Sequence, residues 1–290
     1  MHHLAESELI INSRGAIYHL DLRPEELADT IIVVGDQDRV AKVSKYFDRI
    51  EHQFKHREFI THTGYIGTKR ISVISTGIGP DNIDIVLNEI DAVANINFEA
   101  REINQEIKKL NIVRFGTSGS LQEDIAVDSL VVSTHGLGFD NLMHYYVHKT
   151  TDEDSDLIKS FIEQTEMDTT LTMPYAFRSS DSLISKFGSD FHRGITVTAP
   201  GFYGPQGREL RLKSVSREHI DKLTTFSYQG NRITNFEMET SAIYGLGKLL
   251  GHECLSINVI VANRILRAFS KDSDAAIANM IKKSLEVLVA

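Results

Sequence analysis

Three short segments of the chain combine glycine with polar side chains at the point where an apolar run ends. They are VVGDQDRV (33–40), STGIGPDN (75–82) and RFGTSGS (114–120), and each reads as a strand end followed by a turn. Two of them carry an arginine, Arg39 in the first and Arg114 in the last. Backbone N–H groups freed by glycine, together with guanidinium groups, suit a phosphate dianion. The pattern therefore predicts a phosphate site beyond the strand ends.

Each loop alone is a weak signal, because an ordinary strand-to-helix turn explains it about as well. TGIGPDN lacks the third glycine of the dinucleotide fingerprint, and no G-x-x-x-x-G-K-[ST] segment occurs. An arginine in two of the loops is harder to explain by turn geometry. The sequence thus favours phosphate over a dinucleotide.

The segment NFEMETSAIYGLG (235–247) places Glu237 and Glu239 at the start of an apolar helical pattern. Acids favour a helix N-terminus through the macrodipole, which is the simple structural explanation. That explanation does not account for Met238 between the acids or for the buried character of the run that follows. The alternative is that this helix start faces a cleft.

Short β-branched runs alternate with helical patterns along the chain. The predicted strands are 30–35, 70–76, 111–117, 129–134, 194–200 and 254–262, and the predicted helices are 37–46, 80–94, 155–166, 215–226, 237–250 and 272–288. Apolar strands separated by helices indicate a mostly parallel sheet covered on both faces. Such sheets bind ligands beyond the carboxyl ends of their strands. We interpret residues 1–290 as one α/β domain, with 95–110 as a helical insertion.

Composition and charge exclude several classes of protein. The 290 residues are 41% hydrophobic and 24% charged, which is typical of a folded globular chain. A net charge of -9 argues against binding to nucleic acid or to an anionic membrane. No apolar run approaches the roughly 20 residues of a bilayer span. A lone cysteine, Cys254, and an N-terminus without a signal-peptide layout predict a cytoplasmic protein.

Five segments in order resemble the nucleoside phosphorylase family, which includes uridine and purine nucleoside phosphorylases. They are GDQDRV, HREF, STGIGPDN, RFGTSGSL and NFEMETSA. Two more, FYGPQGR (202–208) and VANR (261–264), resemble the uridine branch. The resemblance spans nearly the whole chain. It implies an α/β fold with a central mixed β-sheet flanked by helices, and the reversible phosphorolysis of uridine to uracil and ribose 1-phosphate.

The resemblance also implies a set of site residues. The phosphate site is Gly35, Arg39, Arg57, Arg114 and Thr117; the ribose site is His19, Glu237, Met238 and Glu239; the base site is Phe202, Gln206, Arg208 and Arg264. The catalytic groups among them are Arg114, Gln206, Arg208 and Glu239. Family members lend the arginine at position 57 and the histidine at position 19 to a neighbouring subunit. A homodimer or homohexamer with shared sites is therefore implied.

The chemistry of these side chains suits the roles that the resemblance implies for them. The carboxylate of Glu239 accepts hydrogen bonds from the 2′- and 3′-hydroxyls, and Phe202 stacks on the base. The amide of Gln206 donates and accepts, whereas Arg208 only donates, so together they match the edge of uracil. Phosphate attacks a ribose that has gained positive charge, while the arginines stabilise the departing base anion. No covalent nucleophile is required.

Three rival functions remain at this point. A purine nucleoside phosphorylase or a phosphate-independent nucleosidase has the same fold, but both branches place an aspartate where this chain has Asn263 followed by Arg264. A non-catalytic nucleoside sensor is the third, since a fold alone does not establish chemistry. The resemblance implies phosphate as co-substrate and no metal or cofactor. Some relatives bind a structural monovalent cation between subunits near Glu58, and a serine is common where this chain has Asn82. The resemblance leaves open whether this chain has that cation site.

Overall fold

The computed structural model describes residues 3–215 and 219–290. Its strands are β1 (Thr30–Val34), β2 (Arg49–His56), β3 (Phe59–Ile66), β4 (Lys69–Ser75), β5 (Ile96–Asn97), β6 (Glu102–Ile103), β7 (Asn111–Ser120), β8 (Leu130–Gly138), β9 (Tyr175–Arg178), β10 (Phe191–Thr198), β11 (Ser227–Tyr228), β12 (Asn231–Glu237), β13 (Glu253–Asn263) and β14 (Ala268–Phe269). Its helices are α1 (Gln37–Ser44), α2 (Pro80–Asn95), α3 (Asp152–Thr165), α4 (Asp181–Ile184), α5 (His219–Thr225), α6 (Thr240–Leu250) and α7 (Ser273–Val289).

The main sheet runs in the order β11-β12-β10-β8-β13-β7-β1-β4-β3-β2. Parallel pairs join β4 to β1, β1 to β7, β7 to β13, β8 to β10 and β10 to β12, whereas β13–β8 and the β2–β3–β4 meander are antiparallel. Strand β12 also pairs with β7, so part of the sheet closes on itself. This is the predicted mixed sheet, and the fold class is confirmed.

Alternate residues of β1 show how the helices cover both faces of the sheet. Ile31 and Val33 belong to the apolar cluster that contains α2 and α6. Ile32 and Val34 belong to the opposite cluster, which contains α1 and α7. Because successive strand residues point to opposite faces, a strand buried on both sides is continuously apolar, as β1 is. The sheet is thereby held between two helical layers, and its strand ends are left to form a site.

The predicted helical insertion at 95–110 is wrong. Helix α2 ends at Asn95, and β5 and β6 then form an antiparallel pair in which Ile96 lies opposite Ile103. The side chain of Asn95 accepts the N–H of Lys108 at 2.6 Å and donates to its carbonyl at 3.1 Å. These bonds fold the segment back onto the end of α2. Its charged residues flank a small hairpin rather than a solvated helix.

Several predicted helix boundaries shift, and α5 and α6 show the clearest differences. Strand β12 continues to Glu237 and α6 begins only at Thr240, so the helix predicted from residue 237 starts too early. The sequence did not predict β12, because five consecutive residues at its end are buried and the alternation of apolar and polar residues that marks a strand is therefore absent. Helix α5 covers the second half of the predicted helix 215–226, and residues 216–218 lie outside the described residues.

Throughout the described chain, the helices are too short or too polar to cross a bilayer.

Candidate active site

A cleft of about 820 Å³ opens where the carboxyl ends of β1, β4, β7, β12 and β13 meet. Ten of the thirteen predicted site residues line it: Gly35, Arg39, Arg114, Thr117, Phe202, Gln206, Arg208, Glu237, Met238 and Glu239. The other three, His19, Arg57 and Arg264, are not among its lining residues in the described part of the chain. Parallel strands bring together loops that lie far apart in sequence, as the α/β rule predicts.

Arg114 lies on β7, and its guanidinium folds back over the backbone of Gly116. A Cβ atom at Gly116 would lie 1.6 Å from Nη1 of Arg114, so a side chain there would displace the guanidinium. Nη1 donates to Oδ1 of Asn258 at 2.6 Å, and Nη2 donates to Oε2 of Glu239 at 2.5 Å. Burial lowers the pKa of Arg114, but the carboxylates of Glu237 and Glu239 raise it by more. Arg114 is thus a fixed cation whose remaining donors are available to a ligand.

Arg39 lies in the first turn of α1 and is 8% exposed. Its Nη1 donates to the carbonyl oxygen of Phe115 at 3.2 Å, and within the described residues it forms no ion pair. Burial lowers the pKa of Arg39, and the charge of Arg114 lowers it further. The carboxylates of Asp36, Glu239 and Asp274 oppose this shift but do not cancel it. A buried cation without a direct ion-pair partner is costly, so this end of the cleft suits an anion.

Glu237, at the end of β12, is occupied by protein donors. Its carboxylate accepts the N–H groups of Glu239 at 2.9 Å and Thr240 at 2.9 Å, and the hydroxyl of Thr198 at 2.6 Å. Nη2 of Arg114 lies 3.3 Å away. A carboxylate has about four acceptor positions, so these four donors fill it. Of the two glutamates predicted to bind the ribose, Glu237 therefore has its acceptor positions taken by protein donors, and it caps the start of α6.

Glu239 precedes the first residue of α6, where its side chain reaches across the cleft. Oε1 accepts the N–H of Gly79 at 2.8 Å, and Oε2 accepts from Arg114. Gly79 has φ +99°, a conformation open to glycine, which turns its N–H toward the acid. Burial raises the pKa of Glu239 and outweighs the opposing effect of Arg114. Two acceptor positions remain for a ligand, which suits adjacent hydroxyl groups.

The opposite end of the cleft is a loop built on a single turn of 3₁₀-helix, Gly204–Gln206. Nη1 of Arg208 donates to the carbonyl of Phe202 at 2.8 Å and to Oε1 of Gln206 at 2.5 Å, and its guanidinium lies 3.8 Å from the centre of the Phe202 ring. Burial, followed by the charge of Arg264, lowers the pKa of Arg208 to about 10. Gln206 is buried, whereas Phe202 is 50% exposed. Aromatic, amide and guanidinium groups thus converge around an open face.

Asn263 and Arg264 differ in what holds them. The amide of Asn263 donates to the carbonyls of Gln122 at 2.8 Å and Ile125 at 2.9 Å, and its oxygen accepts two backbone N–H groups. It is fully engaged in fixing the end of β13. By contrast, Nη1 of Arg264 is buried without a hydrogen-bond partner among the described residues. A Cβ atom at Gly119, which lines the cleft, would lie 3.5 Å from Cγ of Arg264, so this side chain runs beside the cleft.

His19 and Arg57 lie beside one another outside the cleft. Nδ1 of His19 lies 2.6 Å from Oε1 of Glu89 on α2. Arg57 is at the exposed turn between β2 and β3, and its Nη2 donates to the hydroxyl of Tyr18 at 3.3 Å. The structure therefore does not add these two predicted residues to the cleft of the same chain.

Asn258 is a site residue that sequence reasoning missed. It is fully buried in β13, and its only visible signal is a polar side chain inside the apolar run CLSINVIVA. Its oxygen holds Nη1 of Arg114. Buried polar groups of this kind require a partner, so an isolated asparagine in an apolar strand indicates a bonded neighbour.

A sequence model of the phosphorylase superfamily matches residues 29–289. The chain belongs to the phosphorylase superfamily. It is similar to the uridine phosphorylase of Thermococcus kodakarensis, with 27% identity over 94% of this chain and 87% of the relative. A crystal structure of a Trypanosoma brucei nucleoside phosphorylase that shows uridine phosphorylase activity matches with 31% identity and a TM-score of 0.86, covering 97% of this chain and 99% of that one. A DeoD-type purine nucleoside phosphorylase of Streptococcus suis is 26% identical over 94% of this chain and 98% of its own length.

Proposed function

We propose that this member of the superfamily is a uridine phosphorylase, a pentosyltransferase that converts uridine and phosphate to uracil and ribose 1-phosphate. One observation carries the proposal. A single cleft holds a buried cationic end at Arg39 and Arg114, an acid at Glu239, and an amide–guanidinium pair at Gln206 and Arg208. These groups suit phosphate, the ribose hydroxyls and a pyrimidine edge, respectively. The uridine phosphorylase names of similar proteins support the same substrate.

The proposed mechanism is a displacement without a covalent intermediate. Phosphate is held by Arg39 and Arg114, with Gly35 and Thr117 at its edge, and it attacks the anomeric carbon of the ribose. Glu239 holds the sugar hydroxyls while positive charge builds on the ring. Arg208 and Arg264 stabilise the negative charge that appears on uracil, an effect confined to the transition state and product. Phosphate is a co-substrate, and the reaction needs no further cofactor.

The rival functions are less well supported by the site. A purine substrate needs a proton donor where Asn263 lies, and both polar groups of that side chain are bonded to backbone. A phosphate-independent nucleosidase has no use for the buried unpaired charge of Arg39. A sensor without turnover would not need the guanidinium groups placed beside the base. We therefore favour phosphorolysis of a pyrimidine nucleoside.

We further propose that the active form is at least a dimer, either a homodimer or a homohexamer. His19 and Arg57, the two residues that the family resemblance assigns to a neighbouring subunit, lie together at the surface rather than in the cleft of their own chain. A neighbour would then receive an arginine at its phosphate end and a histidine at its ribose end. A cytoplasmic location fits the single, buried and reduced cysteine.

The test is product analysis with the purified protein. Incubation with uridine and phosphate is expected to yield uracil and ribose 1-phosphate in equal amounts, and inosine under the same conditions is expected to react far more slowly. Thymidine and 2′-deoxyuridine define how strictly the 2′-hydroxyl is required. Absence of uracil release, or a preference for inosine, would overturn the proposal.

A further inference from the structure

A second group of buried polar side chains lies next to the start of α6. Asp140 follows β8, Tyr175 begins β9 and Ser241 is in the first turn of α6, and their exposed fractions are 5%, 3% and 0%. The hydroxyl of Tyr175 lies 2.8 and 2.7 Å from the two carboxylate oxygens of Asp140, and 3.0 Å from Oγ of Ser241. None of the three lines the cleft in the described part of the chain. The proposed reaction gives them no direct contact with substrate.

Hydrogen bonds nevertheless connect this group to the ribose acid. The backbone N–H of Ser241 donates to Oγ1 of Thr198 at 2.9 Å. The hydroxyl of Thr198 then donates to Oε1 of Glu237 at 2.6 Å. Oε2 of Glu237 accepts the backbone N–H of Glu239 at 2.9 Å. A continuous path of buried bonds therefore runs from Asp140 to the residue that carries the ribose-binding carboxylate.

Two glycines of β8 permit this arrangement. A Cβ atom at Gly136 would lie 2.7 Å from Cα of Ser241, and one at Gly138 would lie 2.3 Å from the Tyr175 ring. Both distances are below any tolerated contact with a backbone or a rigid ring. The first turn of α6 and the tyrosine ring can thus approach β8 only because these positions lack side chains. The close packing of this group therefore depends on the two glycines of β8 as well as on the three polar side chains.

The charges in this group support a fixed donor and acceptor. Burial raises the pKa of Tyr175 well above its ordinary value, and the charge of Asp140 acts in the same direction, so the phenol keeps its proton. Burial also raises the pKa of Asp140, although its hydrogen bonds, the one from Tyr175 foremost, oppose the shift. The hydroxyl of Tyr175 therefore donates, and the carboxylate of Asp140 accepts.

We propose that Asp140, Tyr175 and Ser241 are positioning residues that fix the first turn of α6 and thereby aim Glu239 at the ribose hydroxyls. The proposal rests on the proposed function for its substrate. It predicts that loosening the group impairs recognition of the sugar and leaves recognition of the base intact. If the group had a purely structural role, loosening it would instead lower stability and would not affect recognition of the sugar more than recognition of the base.

The experiment compares Tyr175→Phe and Ser241→Ala with the wild-type protein, using uridine in the absence of phosphate and uracil as calorimetric ligands. Each variant is expected to bind uridine about tenfold more weakly, the scale of one hydrogen bond to a charged group, and to bind uracil as the wild type does. Thr165→Val is the matched control. Its buried hydroxyl donates to the carbonyl of Phe161 at 2.7 Å within α3, away from the path described above, and it does not line the cleft. This control is expected to lose stability and keep the ratio of uridine to uracil affinity.

The outcomes separate the two proposals. Equal weakening of uridine and uracil, or unchanged binding of both by a folded variant, overturns the positioning role. In a Glu239→Gln background, Tyr175→Phe is expected to weaken uridine binding by less than about twofold more, because the two changes act on one contact. If Tyr175→Phe fails to fold, the smaller Ser241→Ala change decides. A wild type that binds uridine but yields no uracil contradicts the proposed function and leaves this binding test valid.

Discussion

The two ends of the cleft are built in different ways. At the phosphate and ribose end, Arg114 lies within β7 and Glu239 at the start of α6, and both are buried and bonded to each other. The side chain of Asn258 also holds Arg114, and the N–H of Gly79 holds Glu239. At the base end, Phe202 and Arg208 lie on a loop and depend mainly on one another, with the ring half exposed. Charge stabilisation needs groups that are fixed before the reaction. Selection of a base can be left to a loop that varies independently of the scaffold.

The largest loss is expected for Glu239→Gln. Gln keeps the size of the side chain but replaces one acceptor oxygen with a donor, so the sugar hydroxyls and Arg114 lose a partner. We expect kcat/KM for uridine to fall by roughly 10²–10³-fold with a small change in melting temperature. Steady-state kinetics and thermal melting measure both. A large fall in melting temperature with normal turnover of the remaining folded protein would show that Glu239 has only a structural role.

Arg39→Met is expected to have opposite effects on activity and stability. Removing a buried cation without a counter-ion relieves its desolvation, so the melting temperature should rise by about 2 °C. The KM for phosphate should rise by roughly 10²-fold, because the anion loses a buried guanidinium. Arg39→Lys is the matched control, with the charge retained and the forked donors lost. A KM for phosphate that stays normal in Arg39→Met would remove this residue from the phosphate site.

The raised pKa of Glu239 predicts a pH effect that is limited to the ribose end. As pH falls, this carboxyl group takes up a proton at a higher pH than an ordinary glutamate, and the protonated form is a poorer acceptor. Uridine affinity should therefore decline by up to about tenfold per pH unit below that pKa. Uracil affinity, measured in parallel, should stay constant. A decline that begins only at the pKa of an exposed glutamate would show that burial does not perturb Glu239.

The smallest effect is expected at the open base end. Phe202→Leu removes ring stacking and the contact with the guanidinium of Arg208 but keeps an apolar side chain. We expect KM for uridine to rise by about three- to tenfold, with kcat nearly unchanged. If kcat falls as far as it does in Glu239→Gln, the base loop takes part in charge stabilisation and the contrast between the two ends is wrong.

The glycine and arginine patterns around Arg39 and Arg114 predicted the phosphate end of this cleft, although Arg114 lies within β7 rather than in a loop that follows the strand. The base residues Phe202, Gln206 and Arg208 were predicted only by the family resemblance. Ten predicted residues, including Arg39 and Gln206, meet there. The parts it missed have physical reasons. Strand β12 is buried at its end and resembles the helix that follows. Glu237 and Glu239 are chemically identical in the sequence, and only the hydrogen bonds of the fold show that one caps a helix.

Uracil release from uridine, measured with and without phosphate, distinguishes phosphorolysis from hydrolysis. We expect rapid release that saturates with phosphate concentration, an equal yield of ribose 1-phosphate, and negligible release when phosphate is removed. Release at the same rate without phosphate would contradict phosphorolysis, because Arg39 and Arg114 would then not be holding the attacking group.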